Sequence, residues 1–113
     1  MPIFKSHGKK YNNPVEFALD LIGGRWKMPI LWRLNQREFW RYGELKKDIP
    51  GISHKMLSLQ LKELERDGLV DRKQYPTVPP KVEYRITKIG RSSIPAIEAM
   101  RTFGNTLKSK SGN

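Results

Sequence analysis

The chain has 113 residues, enough for one domain that buries about two-thirds of its unfolded surface and too few for two independent cores. Lys and Arg number 22 against 11 Asp and Glu, a formal charge of +11, so the expected partner is a polyanion. Cysteine is absent, which excludes disulfides, thiolate metal sites, Cys nucleophiles and thiol redox sensing within this chain, and His7 and His54 alone are too few for a zinc cluster.

Residues Met1 to Lys10 lack the apolar run of a signal peptide, and no apolar stretch approaches the roughly eighteen residues that span a bilayer. The expectation is a soluble cytoplasmic protein. Attraction to anionic lipid would call for a strongly basic amphipathic helix or a polybasic cluster beside an anchor, and neither is evident, so no membrane partner is expected. Small and basic residues without periodicity read as flexible tails over 1–12 and 108–113, flanking one domain at 13–107 with no internal repeat.

The first helix opens at Asn13-Pro14-Val15-Glu16: Asn13 caps, Pro14 takes the first helical position and Glu16 offers the return bond of a capping box. Gly23-Gly24 ends it. Helical spacing resumes from Arg25 through Trp26, Ile30, Leu31 and Leu34, with Pro29 limiting regular hydrogen bonding upstream. Phe39-Trp40 reads as a short extended segment, and Tyr42, Leu45 and Ile49 mark a short third helix. Ile49-Pro50-Gly51-Ile52 suits a type II turn, after which Ser53 caps a fourth helix running to Asp67 and stopping at Gly68. Two extended segments near 69–75 and 81–87, separated by Pro76-Thr77-Val78-Pro79-Pro80, form a hairpin with a stiff tip. Thr87 caps a last helix whose Ile94, Ile97, Met100, Phe103 and Leu107 make an apolar stripe that is long for a small domain, with Pro95 an irregularity.

Two helices joined by a Pro-Gly turn and followed by a charged hairpin give the order helix, turn, helix, wing. On the fourth helix Leu57, Leu61 and Leu64 face inward and leave Lys55, Ser58, Leu59 and Lys62 outside. Together with Ser53 and His54 at the helix start, these form a candidate surface for the major groove, since a helix fits that groove and its first turns reach base edges. Lys55 and Lys62 can meet phosphate or guanine, Ser58 can donate or accept, and Leu59 can touch a thymine methyl. Arg72, Lys73, Lys81 and Arg85 decorate the hairpin, where residues of one parity share a face able to lie along the phosphate backbone. The bland alternative is a solvated helix face and ordinary solubilising charge on an edge hairpin.

Trp26, Trp32, Trp40, Phe17, Phe39 and Tyr42 raise single-strand stacking as a rival, although their helical or strand spacing favours core or dimer packing. Asp20, Glu16, Glu44, Glu63, Glu65 and Asp67 lie among basic residues without a nucleophile and base in recognisable relation, so no catalysis and no cofactor are expected. Gly23-Gly24 lacks the spacing of a phosphate loop.

Four stretches resemble one known family: Ala18-Leu19-Asp20-Leu21-Ile22-Gly23-Gly24-Arg25-Trp26-Lys27, Ile49 to Leu57, Leu61-Lys62-Glu63-Leu64-Glu65-Arg66-Asp67-Gly68-Leu69-Val70, and Tyr75 to Tyr84. Together, over about residues 13 to 104, they are similar to the HxlR-type winged helix-turn-helix transcriptional regulators, relatives of the MarR-like architecture. The resemblance implies a mainly α fold with a small β-hairpin wing, a homodimer assembled through the N- and C-terminal helices, and an inverted-repeat operator of double-stranded DNA. It departs from the family at Asn13, where many members carry a Cys that serves some of them as a sensor, and at Phe103-Gly104, Tyr42 and Arg37, where Trp-Gly, Phe and Gly are common. A small-molecule effector pocket between the dimer helices and the DNA-binding core would suit this class, but no residue pattern identifies a ligand. The alternatives are an RNA or single-strand binder, or a winged-helix module that holds protein partners.

Overall fold

The protein, described here by a computed structural model, is defined over residues 4–6 and 9–110, with side chains over 9–108. Strands β1 (Phe4–Ser6) and β2 (Lys9–Tyr11) pair antiparallel with Phe4 opposite Tyr11. This hairpin lies in the stretch read as a tail, and its anchor is one aromatic residue. Tyr11 is buried, its ring 5.2 Å from that of Phe17 and its hydroxyl donating to the Asp20 carboxylate. Residues 1–3, 7, 8 and 111–113 of the two expected tails lie outside the described residues.

Helix α1 (Pro14–Ile22) starts as its sequence dictates, with Asn13 Oδ1 accepting from the Val15 N–H at 2.8 Å and Pro14 at the first position. Glu16 donates its own N–H to the Asn13 carbonyl, and the carboxylate half of a capping box appears instead at the third helix, where Glu44 accepts from the Arg41 N–H at 2.8 Å. None of the residues of α1 is buried. After Gly23-Gly24, helix α2 (Lys27–Leu34) begins two residues later than Arg25. Pro29 then falls in its first turn, where the missing N–H has no intrahelical partner to lose.

Strand β3 (Trp40–Arg41), helix α3 (Tyr42–Asp48) and helix α4 (His54–Arg66) follow. Gly51 has φ +80°, the left-handed value that the third position of a type II turn requires. Strands β4 (Val70–Tyr75) and β5 (Lys81–Ile86) pair with Val70 opposite Ile86 and Tyr75 opposite Lys81, and β3 adds to β5 with Trp40 opposite Tyr84. The sheet order is β3-β5-β4.

The last helix differs from its expected form. Thr87 caps, accepting from the Gly90 N–H at 2.9 Å, but the helix it opens is short, α5 (Lys88–Arg91), and a separate α6 (Ile94–Lys110) follows. Two causes are local: Ser92 and Ser93 hydroxyls donate to the carbonyls of Ile89 and Gly90, and Pro95 has no N–H to continue the ladder. Gly90 also presses against the neighbouring chain, since a Cβ there would sit 2.2 Å from the Leu69 carbonyl oxygen.

The core joins Ile30, Leu31 and Leu34 of α2 to Leu45 of α3, Leu57, Leu61 and Leu64 of α4, Val70, Tyr84 and Ile86 of the sheet, and Ile94 and Ile97 of α6. Polar bonds fix the helices around it. Lys27 Nζ meets Glu63 Oε1 at 2.6 Å and ties α2 to α4, while Arg33 bonds both the carboxylate and the carbonyl of Asp48 and ties α2 to α3. Among the described residues no helix is long and apolar enough to cross a membrane, and no group of side chains could hold a metal ion.

Candidate nucleic-acid interface

Ser53 Oγ accepts from the Met56 N–H at 3.0 Å and sets the start of α4. Leu57 and Leu64 are fully buried and Leu61 is 1 % exposed, so this row holds the helix to the core. The opposite row is open: Ser53, His54, Lys55, Leu59 and Lys62 are exposed and Ser58 is half-buried. All six residues singled out from the sequence therefore lie on the accessible side of one helix or at its cap. An exposed Leu59 has no core to join, which separates it from its three leucine neighbours.

The hairpin divides the four expected wing cations. The register puts Lys73 opposite Glu83, Asp71 opposite Arg85 and Tyr75 opposite Lys81, so Lys73, Lys81 and Arg85 share one face. Arg72, opposite Tyr84, lies on the other. There it joins Tyr42, Ser58, Lys62, Glu65 and Tyr84 around a cleft of about 310 Å³ between α4 and the wing. Arg72 is thus placed with the recognition-helix residues rather than with the other three.

Arg85 differs in a second way. Its guanidinium donates to Glu83 at 2.8 Å and to Glu38 at 3.3 Å, and its Nε is buried with no hydrogen-bond partner. The Arg85 hydrogen bond, helped by one from the Tyr75 hydroxyl and opposed by burial, holds the Glu83 carboxyl below the usual carboxylate range; the same contact raises Arg85. Arg85 is committed to bracing the strand, whereas Arg72, Lys73 and Lys81 are exposed.

Sequence spacing did not single out Tyr42 as an interface residue. Its hydroxyl lies 3.0 Å from the His54 carbonyl, 3.2 Å from His54 Nδ1 and 3.2 Å from Ser58 Oγ, and its ring stacks on the imidazole at 5.8 Å and 11°. Read as the apolar start of a third helix, this position gave no sign that its polar end would reach two residues of the next. Lys46 and Lys47, with Arg41, Gly43 and Glu44, line a further open depression on α3. Their signal was only the local basic pair.

The aromatic residues do not form a stacking platform. Trp40 is buried with its Nε1 donating to the Arg33 carbonyl at 2.7 Å, and Trp26, Trp32, Phe17, Phe39 and Tyr42 are half-buried. A guanidinium covers each tryptophan: Arg25 over Trp26, Arg37 over Trp40 and Arg101 over Trp32, at 4.6, 3.6 and 4.3 Å. An apolar depression of about 350 Å³ lies between α2 and α6, lined by Met28, Pro29, Trp32, Ile97 and Met100 with Arg33 and Arg101 at its edge.

Two helices held at a fixed turn, the second exposing a cationic face, with a three-stranded wing beside it, define a winged helix-turn-helix protein of the MarR-like kind. The HxlR-like helix-turn-helix family matches residues 21–111, and the chain belongs to that family of transcriptional regulators. It is 52 % identical over 91 residues to YdzF of Bacillus subtilis strain 168, described as an uncharacterized HTH-type transcriptional regulator, covering 80 % of this chain and 84 % of that one. It is 50 % identical over 95 residues to MalR of Fusobacterium mortiferum, named as a regulatory protein, covering 84 % and 90 %. Among solved structures, the redox regulator HypR in its reduced form superposes with a TM-score of 0.80 at 43 % identity, over 85 % of this chain and 94 % of that one. All three relatives are named as regulators. The cysteine chemistry available to a redox regulator has no counterpart here, because this chain has no cysteine.

Proposed function

We propose that this transcriptional regulator binds double-stranded DNA sequence-specifically, as a homodimer on an inverted-repeat operator in the cytoplasm, with α4 of each copy in the major groove. The observation that carries the reading is the two-sidedness of α4: three buried leucines behind, and Ser53, His54, Lys55, Leu59 and Lys62 open in front. The free N–H groups of its first turn favour a phosphate, and Arg72 across the cleft stands where the flank of the groove would run. Lys73 and Lys81 extend the cationic surface along the wing, and Arg85 braces β5, which carries Lys81 and pairs with the strand of Lys73.

The dimer is supported by apolar side chains of α1 and α6 that stay largely exposed among the described residues. Val15 and Leu19 of α1 are 63 % and 57 % exposed, and Met100 and Phe103 of α6 are 55 % and 63 % exposed. A small domain gains by covering such side chains, and two copies related by a two-fold axis would set two recognition helices against one duplex.

Selection of bound sites from random duplex DNA, followed by footprinting, tests both parts. The expected result is a palindromic site whose half-sites lie about one helical turn apart, with affinity falling by about 10³ to 10⁵ between 50 and 200 mM salt if six to ten phosphates are neutralised. Equal competition by single-stranded probes would overturn the duplex reading. A single unrepeated half-site bound by one copy would overturn the dimer.

A further inference from the structure

The hydroxyl of Tyr42 has three polar neighbours within 3.2 Å, and their chemistry fixes where each proton goes. A phenol carries one hydrogen and accepts through its lone pairs. The His54 carbonyl, 3.0 Å away, can only accept, so the phenolic proton is directed to it. On that assignment the other two neighbours donate to the phenolic oxygen, His54 through Nδ1–H and Ser58 through its Oγ–H. The two rings lie nearly parallel, 11° apart with centroids at 5.8 Å, which holds the imidazole beside this hydroxyl.

Both donations have an outward consequence. With its proton on Nδ1, the neutral imidazole of exposed His54 presents Nε2 as a bare acceptor. With its proton spent on Tyr42, Ser58 presents lone pairs to the cleft it shares with Lys62 and Arg72. In the major groove, acceptors are complementary to the exocyclic amino groups of adenine and cytosine, not to the O6 and N7 of guanine or the O4 of thymine.

We infer that Tyr42 is a positioning residue that polarises His54 and Ser58 as acceptors, so that the first two turns of α4 select bases with a major-groove amino group. The inference rests on the placement of α4 in the groove only for its second half. The proton assignment holds in the free protein and is tested there.

In the full-length ¹⁵N-labelled protein at about pH 9, above the ordinary titration range of imidazole, long-range ¹⁵N–¹H spectra read the tautomer of each histidine. His54→Gln identifies which signals belong to His54. The expected result is a ring weighted to Nδ1–H in the parent and shifted to Nε2–H in Tyr42→Phe, which keeps the ring and removes only the hydroxyl. An Nε2–H ring in the parent, or no change in Tyr42→Phe, overturns the proton assignment.

Duplex selection then compares the parent with Tyr42→Phe, Ser58→Ala and the double variant. The parent should prefer adenine or cytosine where Ser58 faces a base, Tyr42→Phe should lose about five-fold of that preference, and the double variant should lose no more than Ser58→Ala. The salt slope should not change, because no phosphate contact is removed. Unaltered base preference in Tyr42→Phe overturns the selection rule and leaves the groove placement standing. Absence of interference at every major-groove position across the site, by guanine N7 methylation and by thymine-to-uracil replacement alike, overturns that placement, and the selection rule with it.

Discussion

Side chains on the same element divide here between binding and bracing, and charge alone does not sort them. Lys55 and Lys62 are exposed on α4, so replacing either with Ala should lower the slope of log affinity against log salt by about 1, measured by fluorescence anisotropy on the selected duplex. Arg85→Gln should instead lower thermal stability, because it leaves the nearly buried Glu83 without its main partner. The Glu83 carboxyl lies below its ordinary range in the fold, so its contribution to stability is present at neutral pH and is lost as pH falls through the folded value. Urea unfolding in acid should show a shallower loss for Glu83→Gln than for the parent. Tyr11 behaves oppositely: donation to Asp20 pushes it up to about 12, so its contribution is complete below the ordinary value near 10 and is lost between there and about pH 12. Tyr11→Phe should remove that alkaline component in a pH series of melts. The exposure of Lys55 and Lys62 was legible from leucine spacing; of Arg85's two partners, Glu83 lies two residues along the same strand, but Glu38 is 47 positions away in sequence and left no local signal.

Among the elements, α4 depends on being held from behind. Leu61→Ala removes a side chain that is 1 % exposed and should cost about 2–5 kcal/mol of unfolding free energy by denaturant titration, with loss of DNA binding following from loss of fold. Gly90→Ala is expected to destabilise for a different reason, since its Cβ would sit 2.2 Å from the backbone carbonyl oxygen of Leu69, which cannot turn away, and 2.7 Å from Ile86 Cγ1. Caps and turns were readable in advance: Asn13, Ser53 and Thr87 each accept the first-turn bond that their residue type favours. The division of the last helix was less so. The apolar period runs on through Ile94 and Ile97, and only the serine hydroxyls at Ser92 and Ser93, acting with Pro95, break the ladder that periodicity leaves intact. The β1–β2 hairpin escaped notice because its strands have three residues each, too few for an alternation to show.

The whole molecule is more open than a chain of its length packed as a sphere. Its Cα radius of gyration is 15.9 Å, against about 13 Å for a compact domain of this size. Helix α1 contributes no buried residue, and α6 leaves Met100 and Phe103 exposed. If these faces join two copies, Leu19→Glu combined with Phe103→Glu should sediment as a monomer with unchanged helical circular dichroism, and its operator affinity should fall far more than its affinity for an isolated half-site. A dimer that survives both changes would place the interface elsewhere.

Local chemistry in the sequence settled the first four helices to within a few residues, the capping residues Asn13, Ser53 and Thr87, the Pro-Gly turn and which side of α4 faces out, because each depends on residues within a few positions of one another. Its four family stretches also pointed to a regulator of transcription. Tertiary structure alone decided that Arg72 joins Ser58 and Lys62 while Arg85 also reaches Glu38, and that Tyr42 reaches His54 and Ser58. Those outcomes depend on strand register and on the angle between α3 and α4. Both are set by the packing of the common core around Leu45, Leu57 and Tyr84, which no local spacing encodes.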